Sequence, residues 1–217
     1  MAREGLPFIG AFLLLMLLLW LAAQHFYAGL VYPAGLCGFL SLFMLFFFRD
    51  PGRTAPAGDG LVIAAADGKI VCIEEVDEEE YHEYLGGAAI QISTFLSVFD
   101  VHVNRIPSAG IVDFVRWQRG RFRAAFLAAA STENEQSVIG IHRGESRVIV
   151  KQIAGILARR IVCRLQPDDA VQLGSRFGLI RFGSRVDLIL PARTELRVQI
   201  GDRVRAGETI IGVLEDA

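Results

Sequence analysis

From Leu6 to Phe48 the chain has no Asp, Glu, Lys or Arg, a run of 43 residues. No soluble domain of this size needs so long an uncharged segment, and one membrane-spanning helix needs only about 20 residues. The run therefore predicts two helices, near Pro7–Gln24 and Leu30–Phe48, linked around His25-Phe-Tyr-Ala-Gly29. Pro33 and Gly35 loosen the start of the second, and His25 reads as an interfacial loop residue. Arg3 precedes the pair and Arg49 and Arg53 follow it, so the positive-inside rule puts both ends in the cytoplasm. Leu6–Ala23, with the small residues Ala22-Ala23 near a cut, also has the outline of a signal peptide, but a second apolar run follows at once. A hairpin dipping into one leaflet is the other alternative. The mean hydropathy of +0.41 agrees with a membrane segment.

Beyond Phe47-Phe-Arg-Asp-Pro-Gly-Arg53, a helix stop with a basic anchor, the pattern changes to short β-branched runs punctuated by glycine. Strands are predicted at Leu61–Ile63, Lys69–Val76, Ala89–Ser93, Ile111–Trp117, Ser137–Ile141, Arg147–Ile153, Phe177–Phe182, Val186–Leu190, Leu196–Ile200 and Thr209–Leu214. Thr94–Phe99 reads as one helical turn. Phe122–Ser131 and Gly155–Val162 fit helix or strand. The acidic Glu74–Glu83 reads as a solvated loop or edge with His82 exposed, and His142 alternates outward. The organisation is thus 1–53, a membrane hairpin and join, and 54–217, a mainly β domain. Asp169-Ala-Val-Gln-Leu-Gly-Ser-Arg-Phe177 and Asp202-Arg-Val-Arg-Ala-Gly-Glu-Thr-Ile210 share Asp-x-Val-x-x-Gly-x-x-apolar at an offset of 33. Such a repeat suits the half-unit of a barrel-sandwich fold.

A net charge of −2 gives no electrostatic case for nucleic acid. Cys37, Cys72 and Cys163 are widely spaced and, with four His, show no metal motif. They read as reduced thiols. Lys69 and Lys151 are the only lysines against 20 Arg, which leaves few candidates for a PLP Schiff base or a biotinyl or lipoyl carrier. No Walker or dinucleotide glycine motif occurs.

The chemistry concentrates at Gly183-Ser184, where two apolar runs meet. If the fold strains that peptide bond, the Ser184 hydroxyl can attack the carbonyl of Gly183 and turn amide into ester. Elimination then frees a chain end at Gly183 and leaves dehydroalanine at 184, which hydrolyses to a pyruvoyl group. Gly-Ser in a strand is equally the mark of a bulge or tight corner, and Gly174-Ser175 has the same letters. Asp67, in Ala64-Ala-Ala-Asp-Gly-Lys-Ile70, also fits a plain hairpin turn. Asp100 and His102 share one face if that segment is a strand, and His beside Asp is a usable acid–base pair near neutral pH.

Arg181-Phe-Gly-Ser-Arg-Val-Asp-Leu-Ile-Leu-Pro191 resembles the processing site of the short-form phosphatidylserine decarboxylases, which are pyruvoyl enzymes. The Phe-Phe-Arg-Asp-Pro join, the Ala-Asp-Gly motif at Asp67, the Asp-x-His stretch Phe99-Asp-Val-His-Val-Asn-Arg-Ile-Pro107 and Ser131-Thr-Glu-Asn-Glu-Gln-Ser137 extend the resemblance over most of the chain. It implies a proenzyme cut into a β chain, 1–183, and an α chain, 184–217, which stay together as a heterodimer. Its cofactor is the pyruvoyl derived from Ser184, with no metal and no PLP. The implied substrate is phosphatidylserine, bound as a Schiff base and released as phosphatidylethanolamine at the inner membrane, with the catalytic domain cytoplasmic. By the same resemblance Asp67 readies the serine, Asp100 and His102 form the acid–base region, His102 assists decarboxylation, and Asn134 and Glu135 line the pocket. Longer members have a second histidine where this chain has Arg105, so the group that deprotonates Ser184 stays open among Asp67, Asp100 and His102. A membrane-anchored barrel-sandwich adaptor, or a pyruvoyl enzyme for a related serine lipid, are the competing readings.

Overall fold

The uncharged stretch folds as two helices, α1 (Leu6–His25) and α2 (Val31–Phe47). They lie within a residue or two of the expected limits. The computed structural model describes residues 1–121, 133–155, 160–181 and 184–214. Its contacts divide the chain into Met1–Pro51 and Gly52–Ala217. Each helix is long and apolar enough to cross a bilayer. One stripe of α2 is buried (Ala34, Cys37, Ser41, Met44 and Phe47), at the three- and four-residue spacing of a helix face. Gly38 lets α1 approach, since a Cβ there would lie 3.1 Å from the Met16 sulfur. Most leucines of α1 point outward, as they would toward lipid. His25 ends α1, exposed.

The second unit is mainly β. Its strands are β1 (Leu61–Ile63), β2 (Gly68–Val76), β3 (Ala89–Leu96), β4 (Val103–Arg105), β5 (Gly110–Gln118), β6 (Gln136–Arg143), β7 (Ser146–Ile153), β8 (Ile161–Cys163), β9 (Ala170–Val171), β10 (Arg176–Ile180), β11 (Ser184–Pro191), β12 (Glu195–Leu196), β13 (Arg203–Val204) and β14 (Ile210–Val213). Eight form one sheet in the order β13-β2-β3-β11-β7-β6-β5-β9. Two three-stranded sheets, β1-β14-β12 and β4-β10-β8, complete the unit. Alternation along β11 sends Val186, Leu188 and Leu190 into the main apolar core. Ile189 goes to a smaller core beneath α3 (Glu79–Leu85). This is period-2 patterning with both faces buried.

The eight-stranded order is a palindrome, and the bonds repeat with it. Gln166 and Gln199 N–H groups each donate to the Asp three residues on, Asp169 and Asp202. Gly174 and Gly207, both left-handed (φ 75° and 79°), donate to Ile106 and Ala64. Ile63 donates to Pro107 while Arg105 donates to Ala65, a reciprocal exchange between the halves. Each half has a bulge after its second strand begins, between Ile70 and Cys72 and between Val112 and Phe114. The offset-33 repeat is therefore one part of a quasi-two-fold whose axis passes between β7 and β11. The first part of each half, 60–76 and 102–118, repeats at an offset of 42.

Several local expectations change. Thr94–Leu96 is not helical but ends β3, because those residues pair with Val186, Arg185 and Ser184. Glu74–Val76 finishes β2, and the acidic run then forms α3 instead of a loop. Tyr81, Tyr84 and Leu85 of α3 face the smaller core while Glu79 and Glu80 sit at the favourable N-terminal end. His82 is half-buried against the Val76 carbonyl, and His142 is half-buried beside Asp113. The strand expected at Leu196–Ile200 shortens to Glu195–Leu196. Phe122–Ser131 and most of Gly155–Val162 lie outside the described residues, though Ile161–Cys163 is strand. The three cysteines are free thiols.

Candidate functional site

Ser184 opens β11 directly opposite Leu96, the last residue of β3. Successive pairings put Arg203, Lys69, Phe95, Arg185, Ile153, Gln136 and Gln118 in one row across the sheet. Ser184 therefore stands at one edge of that row, on the face that carries Val186 and Leu188 into the main core. It is fully buried, and its Oγ has no hydrogen-bond partner among the described residues. A buried hydroxyl left unsatisfied costs about 1–3 kcal/mol, so such an atom calls for an explanation. Gly183, the other half of the expected cut, lies outside the described residues. Ser175, which shares the same letters, is different: its hydroxyl donates to the Gln172 carbonyl within a turn.

The chain leaving β3 supplies the acid–base groups. Both the Ser97 N–H and its hydroxyl donate to Asp100 Oδ2, at 2.8 and 2.6 Å. His102 is fully buried, with Nδ1 3.0 Å from the Asp100 carbonyl oxygen. A carbonyl only accepts, so Nδ1 carries a proton and donates it there. The Ile180 N–H donates to the His102 carbonyl, which sets His102 alongside the chain four residues ahead of Ser184. His102 Nδ1 thus meets the Asp100 backbone carbonyl, while the Asp100 carboxylate is held by Ser97.

Asp67 immediately precedes β2, one residue from the Gly68–Phe95 approach. A Cβ at Gly68 would collide with the Phe95 carbonyl oxygen, so only glycine lets Asp67 come in here. Its Oδ1 accepts the Ala206 N–H at 2.7 Å, and Oδ2 accepts from Arg53 at 2.8 Å. Burial raises its pKa; the Ala206 N–H and the Arg53 charge pull it down, and the Asp100 charge pushes it up. The two carboxylates therefore sense each other. Arg53 is not a headgroup anchor: its side chain is buried between Asp67 and Glu208.

Arg105 is buried and its side chain donates to the Gly174 carbonyl within its own half, while its backbone N–H crosses to Ala65 of the other. Asn134 is buried and donates to the Ala154 carbonyl, while the Glu135 carbonyl accepts the Ala154 N–H, just past the end of β7. Sequence reasoning missed Asn104 and Gln152. Gln152, opposite Val186, donates to Asn104 Oδ1 at 2.8 Å; among the described residues the Asn104 Nδ2 and the Gln152 Oε1 have no partner, and both residues are fully buried. The signal was a polar residue at an inward position of an otherwise apolar strand. Arg185 and Asp187, on the opposite face of β11, form a buried pair at 2.6 Å, and Arg185 also donates to Ser93. Burial raises the Asp187 pKa and lowers that of Lys151, its cross-strand neighbour. Among the described residues no three His, Cys, Asp or Glu group as a metal site.

The quasi-two-fold supplies a comparison within the chain. Gly60, Ala109 and Ser146 stand where His102, Asp67 and Ser184 stand. Leu214 donates to the Gly60 carbonyl as Ile180 does to that of His102. They line a cavity of about 120 Å³ with Ser108 and Arg143. The same backbone thus carries a serine twice, with acid–base groups beside only one.

The profile of the family described as phosphatidylserine decarboxylase matches residues 40–212. A phosphatidylserine decarboxylase proenzyme of Symbiobacterium thermophilum is 46% identical over 98% of this chain and 95% of its own length. The one of Desulfotalea psychrophila is 45% identical over 97% and 95%. That of Chlorobium phaeobacteroides is 47% identical over 79% of both.

Proposed function

The chain belongs to the phosphatidylserine decarboxylase family, and on that premise we propose that it is a membrane-bound proenzyme that cuts itself between Gly183 and Ser184 and then decarboxylates phosphatidylserine. The observation that carries the proposal is the buried Ser184 Oγ, which has no partner among the described residues, at a strand end where the Gly68–Phe95 approach and the Ile180–His102 bond also hold the segments carrying Asp67 and His102. A hydroxyl in that state is poised to react and not to hold structure. In the precursor it attacks the Gly183 carbonyl, and His102 Nε2 or the Asp67 carboxylate takes its proton. Elimination releases the Gly183 carboxylate, and water converts the residue left at 184 to a pyruvoyl group with loss of ammonia. Among the described residues the Ser184 side chain has no bond to lose, and the new terminus is held by Leu96 on one side and, from Arg185 on, by β7 on the other.

The pyruvoyl carbonyl supplies an electron sink for an amine bound to it. The chain's own residues do the rest. Asn104 Nδ2 and Gln152 Oε1 offer one donor and one acceptor to a headgroup that carries both a carboxylate and an ammonium. Both amides are neutral, so neither holds the carboxylate as an arginine would, and its charge is free to leave as CO2. His102 returns the proton to the substrate carbon, and Asp100 fixes its tautomer. Asp67, held by Arg53 and the Ala206 N–H, keeps a negative charge near the ring. The two apolar helices anchor the chain, and Arg3 and Arg49 favour cytoplasmic ends and a cytoplasmic β unit.

The test is turnover of phosphatidylserine in vesicles by wild type and Ser184→Ala. Wild type is expected to release CO2 and phosphatidylethanolamine, and the variant neither. Turnover by Ser184→Ala equal to wild type would overturn the proposal.

A further inference from the structure

Phe99 and Ile200 are the most exposed large apolar residues described in the β unit, at 66% and 60%. They belong to neighbouring turns. Phe99 precedes Asp100, and Arg203, three residues after Ile200, reaches Asp100 at 3.6 Å. Arg203 pairs with Lys69 across β13 and β2, so both turns stand at the sheet end that bears Ser184, Asp67 and His102. Lys69, Arg203 and Arg205 surround them, all exposed. Acidic groups at this end are engaged, Asp100 with Arg203, Glu208 with Arg53 and Arg205, and Asp202 with the Gln199 N–H; Glu74 and Glu75 of β2 are five and six residues on, roughly 17–20 Å at strand rise.

The fold does not demand these residues. At the quasi-equivalent turn Pro167 replaces Ile200, and Ala170 and Gln172 replace Arg203 and Arg205. Ile111, paired with Ala170, stands where Lys69 pairs with Arg203. The equivalent turn thus lacks both the apolar tip and the two arginines, while that end has exposed cations of its own at Arg143, Arg164 and Arg176. Exposed apolar tips ringed by cations complement an anionic bilayer, where the tips enter the acyl boundary and the cations meet phosphates.

We infer that the β unit has a membrane contact of its own, separate from the helices: Phe99 and Ile200 insert into an anionic lipid surface, with Lys69, Arg203 and Arg205 at its phosphates. This rests on the lipid-substrate reading above and adds where the lipid layer meets the domain. The site then opens at the headgroup level, and a phosphatidylserine need not leave the bilayer to reach it.

The full chain binds vesicles through its helices in any case, so the readout has to be local. Trp20 and Trp117 are the only tryptophans. In a Trp20→Phe/Trp117→Phe background, Phe99→Trp, Ile200→Trp and, as control at the opposite turn, Gln166→Trp are bound to phosphatidylglycerol/phosphatidylcholine vesicles with brominated acyl chains. Quenching at 99 and 200 that weakens in high salt, with none at 166, is the expected result. No quenching at 99 and 200, or equal quenching at 166, overturns the inference. In parallel, Phe99→Ser/Ile200→Ser should lose several-fold in turnover of vesicle phosphatidylserine and none with a short-chain phosphatidylserine kept below its micelle threshold. Equal loss on both substrates also overturns it. Failure of wild type on both substrates would instead remove the decarboxylase reading, whatever the quenching shows.

Discussion

Ser184 and Ser175 have the same neighbour in sequence and opposite circumstances in space. The Ser175 hydroxyl is satisfied by Gln172, so Ser175→Ala is expected to cut itself at the wild-type rate, measured as fragment appearance on denaturing gels. Asp67 predicts a pH dependence. Burial lifts its pKa above 3.8, so the folded chain takes up this proton at a higher pH than the unfolded chain does. Between the two values the folded state binds more proton, and this group's contribution to stability rises as pH falls. Self-cleavage that needs the carboxylate should therefore slow on acidification through that window without Asp67 lowering the melting temperature. Asp67→Asn should abolish that acid limb and leave cleavage slow at every pH; a limb unchanged in Asp67→Asn would assign it to another group. Arg185→Met strands a buried Asp187 and should cost about 3–5 kcal/mol in urea unfolding of the uncut Ser184→Ala chain, with Arg185→Met/Asp187→Leu recovering much of it. Ser184, Asp67, Asp100 and His102 were marked in sequence only by motifs that resemble the family's, since spacing alone fits a bulge, a hairpin turn and a polar loop as well. Arg53, Asn104 and Gln152 were not, because each acquires its role from a partner 14 or 48 residues away.

Among the elements, α1 and α2 were legible because absence of charge over 43 residues leaves little else to build. The long strands were legible from β-branched alternation. The pieces that escaped are short: β4, β8, β9 and β13 are two or three residues each, too few to show a period. α3 hid because its inward Tyr81, Tyr84 and Leu85 sit in a run of glutamates that reads as solvated. Thr94–Leu96 turned out as strand because pairing with β11 overrides any local preference. β11 is paired along its length with β3 and for most of it with β7. A cut ahead of Ser184 leaves that pairing intact, so fragments 1–183 and 184–217 should co-elute under native conditions and part only in denaturant. Gly68→Ala forces β2 away from Phe95 and should slow cleavage sharply, measured on the same gels against wild type.

At the scale of the molecule, the chain is a pair of apolar helices and a β unit made of two quasi-equivalent halves. The second parts of the halves were visible in sequence at an offset of 33, because Asp169 and Asp202 hold the same turn and Gly174 and Gly207 the same left-handed angle. The first parts, offset by 42, were not, because backbone bonds alone repeat there while side chains differ: His102 against Gly60, Asp67 against Ala109. That difference sets the two ends apart: each has a serine, and Asp67 and His102 stand at one. The central claim, that the hydroxyl of Ser184 severs the bond before it, is tested most directly by denaturing mass spectrometry of the purified full chain. The account predicts two species, residues 1–183 and a 34-residue fragment lighter by one ammonia than a serine-terminated 184–217. A single 23.8 kDa chain, or a 184–217 fragment that keeps an amino-terminal serine, would contradict it.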